Sequence, residues 1–288
     1  MRLATVKSPS GIRLAASLGQ QWVDLNATRP DLPTTLRQLL ASGEAALHAV
    51  REAVRSPQAV TLPTVSMRFL PPVPEPQKIV CIGLNYRDHA AESGAPIPKE
   101  PILFSKYPTA LIGHEESIVL PSVSNEVDYE AELVVVLGRR ARRVSPQEGL
   151  EAVAGYTIGN DVSARDWQLK KDGKQWMVGK TFDTFAPCGP WLVTADEVGD
   201  PHRLGIRLRL NGQLMQSSNT DQMIFSVGEL VSYLSRVFTL EPGDLIYTGT
   251  PPGVGFARKP PVFLKPGDVV EVEIDRLGLL RNPCVAET

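Results

Sequence analysis

The sequence is poor in the residues that build most metal clusters and redox sites. It holds three cysteines and four histidines in 288 residues. Cys81, Cys188 and Cys284 lie far apart and form no Cys-x-x-Cys pair, which argues against a zinc cluster and makes a reducing compartment the simplest setting. An excess of charge of one sign is also lacking. The formal net charge is −2, so there is no basic surface of the kind nucleic acids require. An anionic ligand would have to be met locally, by a metal or a few cations. No apolar run reaches membrane-spanning length, and residues 1–7 lack the apolar core of a signal peptide. These absences point to a cytoplasmic protein without membrane or nucleic-acid partners. The glycine-rich segment at 249–255 lacks the Gly-Lys-Ser/Thr of a phosphate loop and opens no helix, so it reads as a shaped loop.

What is present suits a soluble globular chain with a sizeable core: 42% hydrophobic and 22% charged residues. Residues 1–70 read as a small N-terminal unit. Strands are expected near 2–6, 13–16 and 21–25, followed by a helical stretch with Leu36, Leu39, Leu40, Ala46, Leu47, Val50 and Val54 at helical spacing, broken near Ser42-Gly43. Four prolines in residues 70–76 fix φ and remove donors, marking the boundary with a main unit at 71–288. That unit is mostly strands, with the better candidates at 78–83, 102–105, 117–120, 129–137, 156–160, 204–210, 245–248 and 269–274. Ser145-Pro146-Gln147-Glu148 and Ser226-Val227-Gly228-Glu229 carry capping-box patterns, and Ser163 looks like a looser N-cap. Strands outnumber helices, so the fold class is mostly β with peripheral helices (α+β) rather than a doubly wound parallel sheet.

One strand carries acids where a core is expected. Asp128-Tyr129-Glu130-Ala131-Glu132 runs directly into Leu133-Val134-Val135-Val136-Leu137. Side chains alternate along a strand, so Glu130 and Glu132 share a face with Val134 and Val136, while Ala131, Leu133, Val135 and Leu137 take the other. Both faces are apolar, and carboxylates entering a core need a partner. A hard cation bound by oxygen supplies one. The chain contains its own control. At 269–274 acids also alternate, but there Val270, Val272 and Ile274 form one face and the acids the other, as in an ordinary half-wet strand. Asp161, at the end of the apolar run 154–160, is either a third ligand or a turn residue. Three carboxylates without Cys or His select Mg²⁺, Mn²⁺ or Ca²⁺ over zinc.

His89 is the best candidate base among the histidines. If its stretch is helical, His89 and Glu92 face each other at i and i+3, which suits activation of water and equally suits a surface ion pair. Lys180 stands among apolar and aromatic residues, either to stabilise developing negative charge or to snorkel. His48 and His202 read as structural or exposed, and His114 as an undecided loop residue.

Five blocks in order resemble the fumarylacetoacetate hydrolase family: Ile82-Gly83-Leu84-Asn85-Tyr86 with His89 and Glu92; Asp128 to Leu133 with its two glutamates; Gly159-Asn160-Asp161 through Asp166; Gly179-Lys180-Thr181-Phe182-Asp183; and Tyr247-Thr248-Gly249-Thr250-Pro251-Pro252-Gly253-Val254-Gly255. The short N-terminal unit is similar to that of the small bacterial-type members, the acylpyruvase and 2-oxo-acid hydrolase, decarboxylase and isomerase group. The resemblance implies a mixed β-sandwich or roll around a buried Mg²⁺ or Mn²⁺, with Ca²⁺ a non-native occupant, in a homodimer. It implies Glu130, Glu132 and Asp161 as metal ligands, His89 and Glu92 as a catalytic dyad, and Lys180 facing the substrate. It implies Thr250, and more weakly Gln168, as contacts of a small anionic 2-oxo acid, with Arg165 structural.

The expected activity is metal-dependent hydrolysis of a C–C bond in a 2,4-dioxo, acylpyruvate-like acid through a stabilised enolate. The same enolate chemistry without water attack gives decarboxylation or keto–enol isomerisation of 2-oxo acids such as oxaloacetate or a hydroxy-dienedioate. A catalytically silent metabolite-binding module would keep the acids and lose the dyad or lysine, and all of these are present.

Overall fold

The strand Ala131–Leu137 organises the molecule, and all seven of its residues are buried. The alternation read from the sequence holds. Ala131, Leu133, Val135 and Leu137 face one hydrophobic core, and Val134 and Val136 face a second. One strand therefore separates two cores, and residues on its flank can reach neither solvent nor a polar surface without help. The computed structural model describes residues 1–288, the side chain of Ser66 excepted.

Ala131–Leu137 lies inside a 12-stranded sheet. It pairs antiparallel with Val153–Asn160 on one side and with Leu245–Tyr247 on the other. Leu245–Tyr247 runs parallel to Ile79–Gly83, which pairs with the edge strand Ile102–Lys106. On the far side Val153–Asn160 pairs with Ala186–Thr194, which receives the N-terminal strand Arg2–Ser8 through Arg2↔Val193 and Leu3↔Leu192. Gly11–Ser17 and Trp22–Asp24 extend the sheet further. Above them sit the helices Leu36–Ala41 and Gly43–Arg55, interrupted at Ser42 as the periodicity indicates. A five-stranded sheet covers the other core. In it, Val269–Ile274 buries Val270, Val272 and Ile274 and leaves Glu273 exposed, the half-wet strand expected.

Both capping boxes form, at Ser145 and Glu148 and at Ser226 and Glu229. The third does not. Ser163 lies in a short β-pair with Asp128, and its hydroxyl donates to the Asp161 carbonyl at 2.9 Å, so the helix Arg165–Leu169 begins without a side-chain cap. The mostly β architecture with peripheral helices is the one read from the sequence.

Candidate active site

The antiparallel register brings the three acids together. Ala131 opposes Asn160, so Glu130 and Asp161 fall at adjoining ends of neighbouring strands. Their backbones are stitched: Asp161 N donates to Glu130 O at 2.9 Å, and Glu130 N donates to Asn160 Oδ1 at 2.9 Å. Glu130, Glu132 and Asp161 are all buried, and each offers an oxygen within 4.8 Å of the others'.

Three cations surround them. Lys180, last residue of the helix Trp176–Lys180, donates to Glu130 Oε2 and Asp161 Oδ2, both at 2.7 Å. Its ammonium also sits 5.0 Å from the centroid of the Phe104 ring. Arg165 meets Glu130 Oε1 at 2.7 Å and Asp128 Oδ2 at 2.8 Å. Lys106, at the end of the edge strand, lies 2.6 Å from Asp161 Oδ1. The three Lys106 hydrogens go to backbone carbonyls, so Asp161 Oδ1 meets the ammonium as an ion pair and not as a hydrogen-bond acceptor.

The electrostatics single out Glu132. Burial alone would raise the Glu130 carboxyl, but Lys180 and Arg165 outweigh it and hold Glu130 down at about 2. Glu132 forms no ion pair among the described residues. Burial and the nearby Asp161 and Glu130 push it well above the ordinary carboxylate range, Lys180 lowers it only in part, and the one hydrogen bond it accepts is from Gly249 N at 2.8 Å. Burial opposes the Lys180 ammonium, yet Asp161 and Glu130 raise it above the usual lysine value. Four carboxylates, counting Asp128, thus face three cations. Glu132, which lacks an ion pair among the described residues and is raised by its acid neighbours, suits a further positive charge with oxygen preference, so the residues fit a hard divalent ion.

The loop after Leu245–Tyr247 passes beside this cluster. Gly249 has φ 100°, and a Cβ there would stand 2.8 Å from the Asn85 side chain, so only glycine presents its N–H to Glu132 in this way. Thr250 is buried, and its hydroxyl accepts from Gln216 Nε2 at 2.9 Å. Gly253 N donates to Glu92 at 3.0 Å. Glu92 in turn accepts or shares a proton with His89 Nδ1 at 3.1 Å, on the helix Arg87–Ser93. The structure therefore forms the His89–Glu92 pair and ties it to the loop that carries Thr250. Gln168 is buried, and its Oε1 accepts from Arg165 Nη1 at 2.9 Å.

The remaining histidines have local roles. His202 Nε2 accepts from Val227 N at 3.1 Å, His114 Nδ1 accepts from Arg281 N at 3.1 Å, and His48 is exposed beside Glu52. All three cysteines are buried and unpaired.

Sequence reasoning missed Lys106 and Gln216. Lys106 Nζ donates to Val162 O at 2.9 Å, to Phe185 O at 2.7 Å and to the Lys180 carbonyl, partners scattered along the chain. Gln216 Oε1 accepts from Ala131 N at 2.9 Å, between the two glutamates. Neither residue has a local signal. A lysine closing an apolar run at 102–106 was the one available hint.

Comparison with known proteins agrees with this picture. The model of the fumarylacetoacetate (FAA) hydrolase C-terminal domain matches residues 78–285. A Bos taurus protein named oxaloacetate tautomerase FAHD2B, mitochondrial, is 51% identical over 99% of this chain and 92% of that protein. The Homo sapiens oxaloacetate tautomerase FAHD2A, mitochondrial, is 48% identical over the same shares. Among solved structures, maleylpyruvate hydrolase from Sphingobium sp. SYK-6, in complex with manganese (II) ion and pyruvate, is 31% identical with a TM-score of 0.83, and each chain is covered completely. The cytoplasmic expectation is overturned by these relatives, which are named mitochondrial. Reduced cysteines and a modest net charge do not separate one reducing compartment from another. The relatives also favour the isomerase alternative over C–C hydrolysis as the activity. The chain belongs to the fumarylacetoacetate hydrolase family and is an enzyme of the 2-oxo acid type found there.

Proposed function

We propose that the chain is a divalent-metal-dependent keto–enol tautomerase of a small 2-oxo acid, with oxaloacetate the leading substrate. The observation that carries the reading is the convergence of Glu130, Glu132 and Asp161 around an uncompensated charge, with Lys180 against it. The tautomerase names of relatives about half identical over nearly the whole chain support the choice of reaction.

Glu130, Glu132 and Asp161 would hold Mg²⁺ or Mn²⁺. When bound, the ion supplies Lewis-acid stabilisation of negative charge on a 2-oxo acid's oxygen. The rest falls to the chain's own residues. His89 presents Nε2 to the substrate, because Nδ1 is turned to Glu92. That nitrogen removes a proton from C3 of the keto acid. The C2 oxygen, now carrying the charge, is stabilised by the Lys180 ammonium and takes a proton from solvent, to which His89 returns the one it removed. One proton leaves carbon, one reaches oxygen, and no bond between heavy atoms breaks. Thr250 and Gln168 meet the substrate carboxylate. Arg165 keeps Glu130 ionised and in place.

The direct test follows oxaloacetate enol-to-keto conversion by ultraviolet absorbance with Mg²⁺, with Mn²⁺ and with EDTA, alongside acylpyruvate hydrolysis and oxaloacetate decarboxylation. Metal-dependent tautomerisation is expected to dominate. Faster acylpyruvate cleavage would return the chain to the hydrolase reading. His89→Ala should lower the tautomerase rate about 10²- to 10⁴-fold while leaving Mn²⁺ affinity unchanged. The family resemblance also carries a homodimer. Exposed Ile102, Leu103 and Tyr107 on and beside the edge strand support it, and analytical ultracentrifugation measures it.

A further inference from the structure

We infer that Gln216 is a positioning residue that commits the Thr250 hydroxyl to donate to a bound carboxylate. The inference rests on the reading that this site takes a 2-oxo acid. Gln216 is buried at 1% exposure, and its side-chain hydrogen bonds go to Ala131, Thr250 and Pro251 at the site. Its amide orientation is dictated by backbone groups of fixed polarity. Oε1 accepts from Ala131 N–H at 2.9 Å, which only an oxygen can do. Nε2 donates to the Pro251 carbonyl at 2.8 Å, which only a nitrogen can do. The second Nε2 hydrogen goes to Thr250 Oγ1 at 2.9 Å, so the hydroxyl must accept there. Thr250 Oγ1 makes no other hydrogen bond among the described residues, so its own proton remains available to an anion. Without Gln216 the hydroxyl could rotate and offer lone pairs, which repel a carboxylate.

The same side chain ties the acid strand to the anion loop. Glu132 grips Gly249 N–H, Gln216 grips Thr250 and Pro251, and Glu92 grips Gly253 N–H. Ala131, which anchors Gln216, is flanked by two of the proposed metal ligands.

The experiment is a double-mutant cycle on the full chain with Gln216→Glu and Thr250→Val, plus Thr250→Ser as the conservative variant. Pyruvate affinity is measured by calorimetry in saturating Mn²⁺, KM and kcat with oxaloacetate, and Mn²⁺ affinity by electron paramagnetic resonance without substrate. The carboxylate introduced by Gln216→Glu accepts the Thr250 proton and reverses the bond. Each single variant is expected to weaken pyruvate binding about ten- to a hundredfold, with KM rising more than kcat falls. The double variant should be no weaker than the worse single, Thr250→Ser should stay near wild type, and Mn²⁺ affinity should change less than about twofold. Gln216→Met, which is neutral and of similar volume, serves if Gln216→Glu does not fold, and it should show the same pattern. Multiplying effects in the double variant, unchanged pyruvate binding in the Gln216 variants, or parallel loss of Mn²⁺ and pyruvate would overturn the inference. Wild-type protein that binds Mn²⁺ but neither binds pyruvate nor turns over oxaloacetate overturns the functional reading and this one with it.

Discussion

At Lys106 a fully buried ammonium meets three carbonyl oxygens and the carboxylate of Asp161. Burial lowers its proton affinity and Asp161 restores part of it. Lys106→Met removes the charge while nearly keeping the volume, leaving the carbonyls of Val162, Lys180 and Phe185 without their donor and Asp161 with Lys180 as its remaining cation. The expected loss is about 1–3 kcal/mol, because buried carbonyl oxygens are left unsatisfied while Asp161 keeps Lys180. Urea denaturation with an unchanged slope checks it. This residue also marks the limit of what could be read in advance. Glu130 and Glu132 were legible because strand alternation puts acids on an apolar face within five residues. Lys106 was not, since its partners lie more than 50 positions away and only the tertiary fold brings them together. Gln216 was hidden for the same reason. His89 and Glu92 were legible as a pair, but the grip of Gly253 on Glu92 was not.

Among the elements, the helix Val227–Val237 shows how local chemistry sets a boundary. Ser226 Oγ accepts from Glu229 N, and the Glu229 carboxylate accepts from both Ser226 N and its hydroxyl. Those bonds to Ser226 lower the Glu229 carboxyl below its ordinary value. A depressed folded-state value means the contribution is complete above the unfolded-state value near 4.3 and fades as pH falls through the folded one. Ser226→Ala should therefore cost about 1 kcal/mol at neutral pH and measurably less near pH 3, read as the difference in thermal midpoints between variant and wild type at each pH. Such caps are local in sequence, so two of the three expected were found. The third failed because Ser163 is drawn into the strand pair beside Asp161, a non-local demand that outranks the N-cap preference. The alternation in Ala131–Leu137 was legible because the period of two is a property of the strand itself and needs no distant partner.

Across the whole molecule, the sheet runs unbroken from Trp22–Asp24 through the acid strand to Ile102–Lys106. Leu3, Leu14, Leu36 and Leu39 share a core with Val134 and Val136, which follow Glu132 on the same face of the acid strand. Deleting residues 1–70 strips that core and bares the edge of Ala186–Thr194. The truncated chain is expected to lose its cooperative melt and its Mn²⁺ affinity together, as circular dichroism and electron paramagnetic resonance would show. In the intact chain, Mn²⁺ at 100 times its dissociation constant should stabilise the fold by about 2.7 kcal/mol, seen as a rise in midpoint that EDTA reverses.

The segment from Gly249 to Gly253 is fastened by three side chains that come from distant parts of the chain. Gly253 itself leaves no room for a side chain, since a Cβ would stand 2.2 Å from the Met215 carbonyl. A chimera that imports this stretch from a relative with different substrate taste inherits nothing useful unless the donor's counterparts of Glu92, Glu132 and Gln216 travel with it. The unit that evolution or a protein engineer can exchange is thus the fastened assembly, discontinuous in the gene, and recombination within the loop alone should yield folded but idle enzymes.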